Sequence, residues 1–139
     1  MFFTGSFGKN IDILWRTMNA SLIRRDVMSN NVANSDTPNF KRTDVNFESQ
    51  LKRALASEKR VNNFGEFLTD EKHMPFDETM DYRDVKPRRV LDYLSTSKNN
   101  GNNVDIEAES MGLMQNQLAY TAMAQVVQDR FNKVNSVMR

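Results

Sequence analysis

The sequence predicts a mainly α-helical protein in which long N- and C-terminal helices pair as a coiled-coil-like domain, joined by a short helix and an irregular middle. Three observations predict this. Apolar residues recur at alternating steps of four and three at both ends, the middle loses that period and becomes charged, and a polar cluster running into Pro38 marks where the first helix must stop. Residues 1–40 and 99–139 are assigned to the paired-helix domain. Residues 41–98 are assigned to a short amphipathic helix and a connecting lobe with the composition of a partly disordered segment.

Stepping from Phe7 gives Ile11, Leu14, Met18, Ser21, Arg25, Met28 and Val32, with Leu22 flanking the polar gap at Ser21. Asp12, Arg16, Asn19, Arg24 and Asp26 lie off that seam, so residues ~6–34 read as one amphipathic helix. At 1.5 Å per residue its length is about 40 Å. Pro38 lacks an amide hydrogen and disfavours helical geometry at Thr37, so the helix must end a few residues earlier. Asn34, Ser35 and Asp36 suit that ending, because short polar side chains bond the backbone groups a helix end leaves unpaired. Asn39 tolerates positive φ in the turn that follows.

Phe47, Leu51 and Leu55 recur at four-residue steps and predict a short helix over ~46–59. From ~60 to 100 the period fails. Pro75, Pro87, mixed charge and isolated aromatics (Phe64, Phe67, Phe76, Tyr82, Tyr93) predict a loop or small irregular lobe. Asn99 to Asn103 form a turn around Gly101, Asp105 is a fair N-cap, and Glu107 and Glu109 sit where a helix dipole favours negative charge. A second long helix therefore spans ~105–138, with Leu113, Gln117, Tyr120, Ala124, Val127, Phe131, Val134 and Met138 on its seam. Met111, Met114, Leu118 and Met123 widen that stripe. Gly112 is discordant, since a mid-helix glycine costs roughly 1 kcal/mol relative to alanine, and it points either to a close helix contact or to a bend.

Two long seams that a charged middle cannot cover need partners, either each other or copies of the same chain. An antiparallel hairpin satisfies the first alternative and avoids the entropy of association. Methionines on the seams favour the second, because a flexible thioether side chain adapts to contacts that are not identical.

Composition narrows the function. With 19 basic and 18 acidic residues the net charge is +1, which leaves no electrostatic footprint for nucleic acid. No run approaches the ~20 apolar residues needed to span a bilayer, and the N-terminus lacks the pattern of a secretory signal. There is no cysteine for a disulfide or thiolate site. His73 near Asp70, Glu71 and Asp77 fits no metal or general-base spacing, and neither a cofactor nor a small-molecule substrate is expected. Lys86, Arg88 and Arg89, interrupted by Asp84 and Asp92, read as a solvated or protein-contacting strip.

The string Ser29-Asn30-Asn31-Val32-Ala33-Asn34-Ser35-Asp36-Thr37-Pro38-Asn39-Phe40 resembles the N-terminal signature of the flagellar axial proteins, the rod and hook family, with Asn39 where many members carry glycine. Asn100-Gly101-Asn102-Asn103-Val104-Asp105-Ile106-Glu107, with Asn116 to Tyr120 and Ala122 to Gln125, is similar to the C-terminal signature of one of two sibling proximal-rod members. The resemblance implies a structural subunit whose end helices pair and pack against copies of itself and other rod proteins. It implies a place in the proximal rod, in the periplasm, beside the inner-membrane ring and its rod adaptor. It further implies passage through the flagellar type III export gate, for which Phe47 and Leu51 are similar to the Phe-x-x-x-apolar recognition motif. The same spacing is what any short amphipathic helix needs to bury one face. A cytoplasmic coiled-coil adaptor or export chaperone is the competing reading.

Overall fold

In the computed structural model, residues 5–60, 69, 70, 72, 73, 80–95 and 99–138 are described. The order of elements is α1 (Ser6–Ala33), β1 (Thr43–Asn46), α2 (Glu48–Arg60), a 3₁₀ turn (Tyr82–Asp84), β2 (Arg88–Leu91) and α3 (Ile106–Val137). The mainly helical class is as expected. Glu71, Pro75, Phe64, Phe67, Phe76 and Asp77 lie outside the described residues.

Three helix ends follow from local chemistry. The α1 helix stops at Ala33, where the amide of Asn34 is shared between the carbonyls of Asn30 and Asn31, five residues ahead of Pro38. Asn39 takes φ 60, the left-handed geometry its type tolerates. The α3 helix starts behind Asp105, whose carboxylate accepts from the amides of Glu107 and Ala108. The α2 helix begins one residue after Phe47, so Phe47 is the flank rather than the first turn. Its carbonyl accepts from Leu51 at 2.9 Å.

The chain divides into two compact units, Met1–Val45 with Arg89–Arg139, and Asn46–Arg88. In the first, α1 and α3 pack antiparallel. Asn116 lies against Ser21, Gly112 against Met28 and Glu109 against Asn31, so one helix rises as the other falls. Gly112 serves a close contact: a Cβ there would stand 3.1 Å from the Met28 Cε. In the second unit Leu51 and Ala54 of α2 are buried, as are Tyr82 and Val85 around the 3₁₀ turn.

The two-stranded β1–β2 sheet was not expected. Each strand has four residues, Val45 is the only buried one in β1, and all of β2 is exposed, so neither carries a readable two-residue period. The Asp92 amide donates to the Arg42 carbonyl at 2.8 Å, one residue beyond β2 and one before β1, which makes the pair antiparallel.

The tight passage at Gly112 generates a stability prediction. Gly112→Leu forces a branched side chain onto Met28 and lowers stability by about 1–3 kcal/mol. In Gly112→Ala the gain in helix propensity of about 1 kcal/mol offsets the shift of Met28's flexible end, so its urea midpoint stays near that of the parent.

Candidate assembly site

The two sequence signatures meet. The carbonyls of Asn34, Ser35 and Thr37, just past α1, all accept from the Nδ2 of Asn102, at 3.0, 2.9 and 2.9 Å. Asn102 is 0% exposed, and its Oδ1 accepts from the amide of Val104 at 2.7 Å. Around this point the Asn39 amide donates to the Asn100 carbonyl, and Lys41 Nζ donates to the Gly101 carbonyl. Gly101 has φ +79, which favours glycine, and a Cβ on it would stand 2.6 Å from the Asn39 Oδ1 and force that side chain to shift.

Asn103 works at the mouth of the sheet. Its Oδ1 accepts from the Arg42 amide at 2.6 Å and its Nδ2 donates to the Asp92 carbonyl at 2.7 Å. The side chain thus spans the place where Arg42 and Asp92 would exchange a second ladder bond. Asp92 closes the following turn, and hydrogen bonds from the Ser95 hydroxyl and amide and from the Leu94 amide hold its carboxyl below the usual range.

Asn31 does the same on the other side of β1. Its Nδ2 donates to the Thr43 carbonyl at 2.8 Å, its Oδ1 accepts from the Thr43 amide at 3.1 Å, and the same Nδ2 reaches Glu109 at 3.3 Å. Glu109, on the first turn of α3, is buried and also accepts from the Arg42 guanidinium. That hydrogen bond raises the Arg42 pKa above its ordinary value, burial opposing it in part and the charge of Glu109 adding to it. Charge burial is tolerable because the pair is hydrogen-bonded on both partners. Among the described residues, no buried side-chain nitrogen or oxygen lacks a partner.

Of the N-terminal signature residues, Asn31 enters this lock by its side chain and Asn34 and Thr37 by their carbonyls. Asn30 caps the helix end through its carbonyl, Phe40 is half-buried, and Ala33 and Pro38 are exposed. Arg42, Glu109, Asn102 and Asn103 were not singled out as site residues, because an Asn-rich turn and an acidic first helical turn look alike whether solvated or buried.

The expected seam residues divide. Ile11, Leu14, Met18 and Val32 of α1 and Leu113, Tyr120, Val127 and Val134 of α3 are half-buried, whereas Leu22, Leu118 and Phe131 are exposed. Ser21, at the polar gap of the expected α1 seam, and Met28 on that seam also lie on the α1–α3 contact, as do Asn31 and Asn116 off the expected seams. Apolar stripes remain uncovered. On α3, Met111, Met114 and Leu118 are 64, 69 and 64% exposed, roughly opposite the Glu109–Gly112–Asn116 side. On α1, Ile11, Trp15, Met18 and Leu22 recur at steps of four, three and four, with Trp15 and Leu22 exposed. A sequence signal for this existed: from Ser110 to Gln128 there is no charged residue, unlike a helix face meant for water.

Phe47 and Leu51 are both buried. His73 and Asp70 are exposed and linked only through the His73 amide and the Asp70 carbonyl. Among the described residues no three His, Asp or Glu side chains gather where they could hold a metal ion, and no helix is long and apolar enough to cross a membrane.

A locked helix pair with uncovered apolar stripes is the form of a subunit that associates through its helices, and a family model for the flagella basal body rod protein matches residues 11–41, most of α1 and its junction. The flagellar basal body rod protein FlgB of Borreliella burgdorferi is 41% identical over 133 residues, covering 96% of this chain and 98% of that protein. FlgB of Borrelia hermsii is also 41% identical over 133 residues, and FlgB of Bacillus subtilis is 30% identical over 132, covering 95% of each chain. The chain belongs to the FlgB family of flagellar basal body rod proteins.

The lock makes a sharp prediction. Asn102→Ala leaves the Asn34, Ser35 and Thr37 carbonyls without their donor and costs about 2–4 kcal/mol, read as a lower thermal midpoint. Glu109→Ala is worse than Glu109→Gln, since glutamine keeps an acceptor for Arg42 and alanine leaves the guanidinium unpaired.

Proposed function

We propose that this chain is a structural, non-catalytic subunit of the proximal rod, built into a periplasmic drive shaft that transmits torque from the inner-membrane ring. The observation that carries the reading is the uncharged, exposed face of α3 at Met111, Met114 and Leu118, which the lock leaves unpartnered. Copies of the chain and other rod proteins would cover it, together with the α1 stripe. A contact between two different patches repeats without closing and so builds a filament. The inner-membrane ring and its rod adaptor are the neighbours at the base, and the type III export gate is the route out of the cytoplasm. Phe47 and Leu51 are buried, so a gate that reads them reads the chain before it folds.

Electron microscopy of basal bodies from cells lacking the chain tests the role, with a complemented control. Rings without rods, restored by complementation, support it; intact rods overturn it and revive the adaptor reading.

Leu118→Asp and Phe131→Asp place charge on exposed positions, so the isolated subunit stays within about 0.5 kcal/mol of its parent while rods and motility are lost. Normal motility in both contradicts the assembly surface. Phe47→Ala accumulates in the cytoplasm, whereas Tyr82→Ala, which empties another buried aromatic site of the same unit, is secreted. Equal secretion of the two rejects the gate motif.

A further inference from the structure

Among the described residues, the β1–β2 sheet has one sealed edge and one open edge. With Asp92 bonded to Arg42, alternation turns the backbone groups of Thr43 and Val45 away from β2. All of these are taken: Asn31 holds both groups of Thr43, Arg24 donates to the Val45 carbonyl at 3.2 Å, and the Val45 amide donates to Asp44 Oδ1. The same alternation turns the amides and carbonyls of Arg89 and Leu91 outward from β2, where no element is paired with them in the two-stranded sheet.

The side chains along that edge change character. Arg88 and Arg89 come first, and then Val90, Leu91, Tyr93 and Leu94, all exposed, Leu94 at 98%. Charge and a short length are how proteins blunt free edges, and the arginines with Pro87 would do so. The apolar half does the opposite, since four exposed apolar residues beside open backbone groups invite a strand. A parallel second copy of β2 is disfavoured because it would set arginines against arginines, and pairing with an antiparallel copy is one outcome of the test below.

We propose that the open edge of β2 accepts an extended segment of a partner, acidic where it meets Arg88 and Arg89 and apolar where it meets Leu91, Tyr93 and Leu94. Backbone bonds at Arg89 and Leu91 supply the pairing, and the arginines select the sign of charge. The Arg89–Asp26 pair, at 2.8 Å and exposed on both sides, is weak enough to exchange for a partner carboxylate.

The test titrates the full isotope-labelled chain with a blocked peptide of about eight residues, the span of a short strand, with glutamates in one half and valines in the other. Controls are a lysine–valine peptide and an N-methylated glutamate–valine peptide. The expected result is a shift of the Arg89 and Leu91 amide resonances, binding at least about tenfold tighter than for the lysine peptide, and none for the N-methylated one. Leu91→Pro abolishes binding by removing an outward amide. Arg88→Glu with Arg89→Glu, which leaves the backbone intact, reverses the charge preference. Absence of shifts at these amides, indifference to the sign of charge, or self-association through this edge that Leu91→Pro removes would each overturn the proposal.

Discussion

Buried asparagine amides hold the helix-pair unit together. An amide carries a donor and an acceptor in the same relation as a peptide group, so it can stand in for a strand or a turn where the backbone has none to offer. Asn102 closes the chain behind α1, Asn103 fills a gap in the β1–β2 ladder, Asn31 caps the far edge of β1, and Asn116 reaches the Ser21 carbonyl across the helix pair. Fully satisfied, such groups fix one arrangement, because any slip leaves several polar atoms buried and unpaired. The Arg42–Glu109 pair acts in the same way, tying the start of α3 to the strand that follows the α1 junction.

Polar locking has a consequence for function. A chain that joined α1 to α3 by burying its most apolar stripes would have none left for neighbours. Here small and polar residues, Ser21, Gly112, Asn31 and Asn116, share the contact between the helices with Met28, and Trp15, Leu22, Met111, Met114 and Leu118 stay exposed. On the proposed reading, subunit folding and subunit association draw on largely different residues.

The helices were legible because each carries many repeats of one period and has a chemical stop: Pro38 after the first, Asp105 before the last. The strands were not, being four residues each, mostly exposed, and held in part by side chains from distant segments. The junction string was recognisable as a pattern, but its partner was not, since nothing local distinguishes Asn102 in a solvated turn from Asn102 bonded to three carbonyls. The apolar stripes were legible, but what covers each was not. Periodicity finds apolar stripes, yet it cannot say which stripe meets the sister helix and which waits for another molecule, and here Leu22, Leu118 and Phe131 fell on the exposed side.

The absence of cysteine permits one direct measurement of where the α3 stripe goes. A single cysteine at Met114 would be labelled by a thiol reagent in the free subunit and in purified basal bodies that contain it. The account predicts rapid labelling of the free subunit, where Met114 is exposed, and strong protection in the assembled rod. Equal labelling in both states would mean that the stripe faces water in the rod, and would contradict the assembly surface on which the account rests.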